Sequence, residues 1–281
     1  MTELDFAQKL FELGITHYSP SQLNRPTSVW VFEYIHLTKD QRRQITVGEN
    51  AAFGTAVHGG IQSVLCGGQD IDEAIETAVM EFDFHPANES EDKREHYRTL
   101  IEPAIELGVE ELAIWAKSEA EMRVEWQPDG LLIPIIGYVD MSQPYNGRFL
   151  EMKTKAPRQG AVKKDGTRSW VKALTPKQPD WSHVQQCAVY HKATGLTPNI
   201  AYISDHTVTV FTPDNCEKLS QEAIEFAAEQ MRQKAIKRQN LLKISTDPKV
   251  LASIIEADFD HPFYWKHQFA DEAKVLFSTD K

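Results

Sequence analysis

Three polar residues, Asp140, Glu151 and Lys153, interrupt segments that are otherwise apolar enough to be buried. Asp140 follows the run Leu132-Ile-Pro-Ile-Ile-Gly-Tyr-Val139, and Glu151 and Lys153 stand two apart in Arg148-Phe-Leu-Glu-Met-Lys153. Side chains two apart on a strand project from the same face, so the glutamate and the lysine share one. If the two segments pair as a hairpin, Asp140 comes opposite the Glu151 region and two carboxylates meet one ammonium. Packed carboxylates repel unless a cation lies between them, and a hard divalent ion with oxygen ligands removes the conflict. With a lysine alongside, the set suits metal-assisted hydrolysis, in which the ion acidifies a bound water.

The elements that must hold these residues are legible from local pattern. Residues 122–126 alternate apolar and charged, Pro128-Asp129-Gly130 is a turn, and residues 131–139 form a nearly continuous apolar strand. Asn146-Gly147 turns the chain into a third strand over 148–153, making a three-stranded meander. A loop rich in basic residues and glycine follows. Residues 181–194 read as a helix stopped by Gly195, and β-branched residues recur over 200–211.

Around this core the pattern is helical. Ser19-Pro20-Ser21 offers an N-cap with proline in the first turn, ahead of the aromatic run Trp30-Val-Phe-Glu-Tyr-Ile35. A helix from Gly54 lines up Val57, Ile61, Val64 and Leu65, and further helices are expected over about 71–82, 90–117, 216–242 and 248–256. Gly54, Gly59 and Gly60 each cost a helix about 1 kcal/mol against alanine and suggest close approach to the sheet or a substrate. The expectation is one α+β domain over 1–281, with a helical part to about 120, a catalytic part over about 121–211 and a helical C-terminal part.

The chain of 281 residues carries a net charge of −11, with 41% hydrophobic and 25% charged residues, an ordinary globular composition. No apolar run approaches a membrane span, and the opening MTELDFAQKL lacks the pattern of an export signal. Cys66, Cys187 and Cys216 lie far apart without CxxC spacing and are read as packing or surface residues, with the cytoplasm as the expected compartment. Although the net charge disfavours nucleic acid, residues 153–177 hold eight basic side chains against the single acid Asp165, a local +7 against −18 elsewhere. Trp170 lies within this segment and Trp181 just beyond it, and aromatics beside cations suit unpaired bases over a tracked backbone.

Taken together, Gly54-Thr-Ala-Val-His58, Gly137-Tyr-Val-Asp140, Glu151-Met-Lys153 and Gln186-Cys-Ala-Val-Tyr190, in that order, resemble the PD-(D/E)XK nuclease superfamily, in particular its RecB-like exonuclease branch. The opening, Tyr18-Ser-Pro-Ser-Gln-Leu23 with the aromatic run, is also similar to that branch, and the resemblance covers residues 17–211. It implies a restriction-endonuclease-like core: a mixed central sheet flanked by helices, with helical elaborations at both ends. It further implies that Asp140 and Glu151, with the Met152 carbonyl and His58, hold Mg2+ or Mn2+. Lys153 would orient or deprotonate the attacking water, and Gln186 and Tyr190, four apart on one helix face, would position substrate and support the lysine. The extra His183 on that face is read as a surface residue.

Many members of the branch carry an iron–sulfur cluster, but Asn24-Arg-Pro-Thr-Ser28 and Asp260-His-Pro-Phe-Tyr-Trp265 contain no cysteine, so no cluster is expected. Aromatic packing of Phe263, Tyr264 and Trp265 against the N-terminal helix is the suggested replacement. No GxxxxGK[ST] sequence is present, so any helicase motor would be a separate chain. The function expected is a metal-dependent DNA exonuclease in recombination, repair or replication, in the host cytoplasm if virus-encoded. Its DNA would lie along Lys155, Arg158, Lys163, Lys164, Arg168, Trp170 and Lys172. The alternatives are a catalytically weak DNA-binding or adaptor subunit of a recombination complex and a structure-specific endonuclease.

Overall fold

The computed structural model describes residues 3–45, 48–86, 91–164, 168–261, 264–265 and 267–278. In chain order the helices are α1 (Glu3–Glu12), α2 (Pro20–Asn24), α3 (Thr27–Val31), α4 (Lys39–Arg43), α5 (Glu49–Leu65), α6 (Ile71–Phe84), α7 (Glu91–Glu111), α8 (Trp181–Thr194), α9 (Gln221–Ile244), α10 (Pro248–Ala252) and α11 (Ala270–Phe277). The strands are β1 (Glu119–Trp126), β2 (Ile135–Gln143), β3 (Arg148–Thr154), β4 (Arg158–Val162), β5 (Arg168–Val171), β6 (Thr197–Ile203) and β7 (Val208–Phe211). The chain divides into two compact units, Val47–Val124 with Tyr138–Ile224, and Met1–Thr46 with Glu125–Gly137 and Glu225–Lys281.

A mixed five-stranded sheet in the order β1-β2-β3-β6-β7, flanked by helices, makes this an α+β protein. β2 and β3 are antiparallel with Met141 opposite Leu150, a register that carries Asp140 to the level of Glu151 and Met152. β3 and β6 are parallel, Lys153 facing Tyr202, and α8 makes the crossover that a parallel pair requires. Gly195, at φ +73°, ends α8 in the left-handed conformation that glycine adopts freely. β7 returns antiparallel to β6.

Under this sheet α5, α6 and α7 bury a core of Phe53, Val57, Ile61, Phe82, Tyr97, Ile101 and Ile105 against Met141, Leu150, Met152, Ala201 and Ile203. The glycine expectation holds for Gly54, whose nearest neighbour is Thr154 of β3, and is corrected for Gly60. A Cβ on Gly60 would fall 2.3 Å from Ile105 Cδ1, and one on Gly108 would fall 2.4 Å from Ile61 Cδ1, so the two glycines let α5 and α7 approach each other. Gly60 serves helix packing, not the sheet.

In the other unit, Tyr18 exchanges backbone hydrogen bonds with Pro134 and Ile136, and the Ser19 hydroxyl caps α2 by accepting from the Gln22 N–H. The aromatic run continues α3 as a π-helix over Phe32–His36. Trp265 packs edge-on against Phe32, with Tyr264 nearby in the same apolar cluster. Phe263 lies outside the described residues.

Two strand expectations shift. Residues 131–134 are not strand, so β2 begins at Ile135 and Asp140 lies inside it instead of at its end. The basic loop is a β4–β5 hairpin, with Arg158 opposite Val171 and Val162 opposite Arg168. Among the described residues no helix is long and apolar enough to cross a membrane.

Candidate metal centre and basic hairpin

β2, β3, α5 and α8 bring seven of the expected residues together. The Asp140 Oδ2 atom accepts the Met152 N–H at 2.5 Å, and its Oδ1 lies 4.0 Å from His58 Nδ1. Glu151, 2% exposed, accepts at Oε1 from Lys153 Nζ at 2.6 Å and from Gln186 Nε2 at 2.7 Å. Lys153 Nζ also donates to Gln186 Oε1 at 3.0 Å, and Gln186 Nε2 donates to the Tyr190 hydroxyl at 2.7 Å. The helical spacing of Gln186 and Tyr190 thus works as expected, turning both toward the lysine and glutamate.

Burial dominates the electrostatics. It pushes the Glu151 carboxyl well above its ordinary range, and the Asp140 charge adds to the effect. Asp140 is also raised by burial, against the pull of Lys153 and of the Met152 N–H. Burial alone would lower the Lys153 ammonium, but the Glu151 and Asp140 charges outweigh it and leave its pKa raised. The two carboxylates thus hold the lysine's proton against the cost of its burial. His58 is pushed down to about 3 by burial and then by Lys153, so its ring is neutral and keeps a lone pair.

The donors fit a divalent ion on the evidence of what they leave unmet. Glu151 Oε2, His58 Nε2 and Thr154 Oγ1 are buried without a hydrogen-bond partner, an arrangement that normally costs about 1–3 kcal/mol per group. The 4.0 Å between His58 and Asp140 is too long for a hydrogen bond. It leaves room for an ion between Asp140 and Nδ1, whereas the orphaned ring atom is Nε2, on another side of the imidazole. As they stand, no three His, Cys, Asp or Glu side chains among the described residues are gathered around one point. Asp140 Oδ2 and Glu151 Oε1 are spent on Met152, Lys153 and Gln186, which leaves Asp140 Oδ1, Glu151 Oε2 and the His58 ring for a ligand.

Two neighbours were not legible beforehand. Gln62 donates to the Asp140 carbonyl at 2.7 Å and to Glu121 Oε1 at 3.0 Å. Its place four residues after His58 on one helix face was an available signal. Glu121 has φ +51°, a left-handed conformation that a side-chain-bearing residue seldom adopts, and its charge reaches both Asp140 and Glu151. Nothing in the alternating stretch around it singles it out. His183 is corrected: it is half-buried, its Nδ1 lies 2.7 Å from the Tyr202 hydroxyl, and burial followed by the Lys153 charge pushes it down to about 4.

The basic residues are spread along the hairpin. Arg158, Lys163, Lys164, Arg168 and Lys172 are exposed. Lys155 instead turns to Asp180, at 3.9 Å, and over the Tyr202 ring. Trp170 stacks on His96 with ring centroids 4.0 Å apart and lies beside Tyr97. No protein-family model matches this chain, and no curated protein matches it significantly.

Proposed function

We propose that this chain is a divalent-metal-dependent DNA exonuclease with a restriction-endonuclease-like core, acting in recombination, repair or replication. The observation that carries the reading is the convergence of Asp140, Glu151 and Lys153 beside a neutral His58, with the buried atoms Glu151 Oε2 and His58 Nε2 left without partners. Magnesium or manganese held there by Asp140, Glu151 and His58, with the Met152 carbonyl, would acidify a water and polarise the phosphodiester.

The chain's own groups supply the rest. Lys153 orients or deprotonates the attacking water and stabilises the charge that builds on the phosphate. Gln186 holds the Lys153 ammonium and the Glu151 carboxylate in fixed relation, and Tyr190, held by Gln186, keeps that amide from rotating. The hairpin cations track the DNA backbone, which requires charge but no sequence information.

The test is incubation of end-labelled linear, circular and single-stranded DNA with magnesium or manganese, and with chelator. Degradation of linear DNA from its ends, arrested by chelator and sparing circles, is expected. Cutting of circles would make the protein an endonuclease, and binding without metal-dependent cleavage would make it an adaptor.

A further inference from the structure

A second cationic site lies wholly within the other unit. A cavity of about 370 Å³ is walled by Arg25, Lys234, Lys237, Arg238, His261 and Tyr264 among others, and none of its lining residues is acidic. In a chain of net charge −11, four cations around one acid-free cavity are a marked local excess.

The buried member is Arg238, 3% exposed. Its Nη2 donates to the Arg25 carbonyl at 2.9 Å and its guanidinium lies 4.9 Å over the Trp30 ring, but its Nη1 is buried with no hydrogen-bond partner. No carboxylate pairs with it among the described residues; Glu33, the nearby acid, pairs with Arg25. A buried charge is ordinarily paired, so this guanidinium lacks the anion its position requires. Burial and then the Arg238 charge lower the pKa of Lys234, which shows the cations repelling each other inside the wall.

We infer that this cavity is a phosphate site that takes the multiply charged phosphate monoester of a nucleotide, with the guanidinium fork of Arg238 as its fixed donor and Lys234 and Lys237 completing the charge. A singly charged carboxylate would leave most of this charge unmet, whereas a phosphate dianion with its several acceptor oxygens suits guanidinium and ammonium donors together. The volume exceeds what a lone phosphate needs and lies in the range of small-ligand pockets. The His261 and Tyr264 rings, centroids 4.3 Å apart, offer a surface for a base. The inference does not depend on the nuclease reading and stands or falls apart from it.

The source of the phosphate is separable by experiment on the full chain in chelator at physiological salt. Calorimetric titration with dAMP, deoxyadenosine, pyrophosphate and an oligonucleotide bearing either a terminal phosphate or a hydroxyl is the measurement. Saturable binding of dAMP at one site, displaced by pyrophosphate and at least about tenfold weaker for deoxyadenosine, supports a free nucleotide. Preference of at least tenfold for the phosphorylated oligonucleotide without dAMP binding assigns the phosphate to a nucleic-acid end. Arg238→Gln should abolish either response. Because Arg238 also packs on Trp30, the exposed Lys237→Glu is the second variant, expected to weaken binding tenfold or more with an unchanged circular-dichroism spectrum. Absence of any phosphate-dependent binding, or undiminished binding in Lys237→Glu, overturns the inference.

Discussion

The Lys153 ammonium donates to one oxygen of Glu151 at 2.6 Å, while the other oxygen of the same carboxylate is buried without a partner. The glutamate is thus half engaged within the protein and half available to a ligand. This division gives the proposed metal and the lysine different oxygens of one carboxylate.

Glu151→Gln and Asp140→Asn should each reduce hydrolysis by orders of magnitude, since an amide is a poor ligand for a hard ion. Asparagine is preferred to alanine at 140 because its oxygen can still accept the Met152 N–H, whose loss would cost about 1–3 kcal/mol. Near-normal cleavage by either variant, with a native circular-dichroism spectrum, would remove these residues from the metal site.

His183 should titrate far below an ordinary histidine. Its folded pKa, about 4, lies below the unfolded value of 6.5, so the unfolded chain binds the extra proton first. Its contribution to stability is complete above about 6.5 and is lost as the pH falls toward 4. Lys153, Lys155, Asp180 and Tyr202 are the groups that face it. Ring nitrogen shifts measured by NMR across this range should report a neutral imidazole at pH 5.5; a midpoint near the ordinary value would contradict the burial argument.

Gly60→Ala and Gly54→Ala should differ in sign. In a helix either change gains up to about 1 kcal/mol from propensity. The new methyl at 60 would overlap Ile105, which is fully buried and has no room to yield, and overpacking costs about 1–3 kcal/mol. At 54 the nearest atoms, from Thr154, lie at 3.7 and 3.8 Å, ordinary contact. Urea unfolding should therefore show a loss for Gly60→Ala and none for Gly54→Ala, and equal effects would mean that α5 and α7 are less closely packed.

Neutralising Lys163, Lys164, Arg168 and Lys172 together should weaken DNA binding without regard to sequence, because phosphate contacts carry none. Each lost contact should flatten the slope of log affinity against log salt by roughly 0.7 to 0.9, so a total change of about 2 to 3.6 is expected if three or all four of them touch phosphates. Binding is measured in calcium or chelator to prevent cleavage. An unchanged slope would return the hairpin to an ordinary solvated surface.

What was legible in the residues is what short-range geometry governs. Alternation places Glu151 and Lys153 on one face of β3, helical spacing places Gln186 and Tyr190 on one face of α8, and Gly195 ends that helix. These follow from the two-residue and 3.6-residue periods of the backbone, so the sequence by itself determined β3 and the crossover helix and placed Glu151 with Lys153 and Gln186 with Tyr190, but not the start of β2 or the β4–β5 hairpin. Tertiary structure alone decided which atoms of those residues remain unmet, that Gly60 faces Ile105 instead of the sheet, and that Glu121 and His183 join the surroundings of Lys153 and Asp140. Likewise only the fold places the His96 ring against Trp170. Each of these depends on contacts between segments far apart in the chain, where close packing and burial set the outcome and no local period records it.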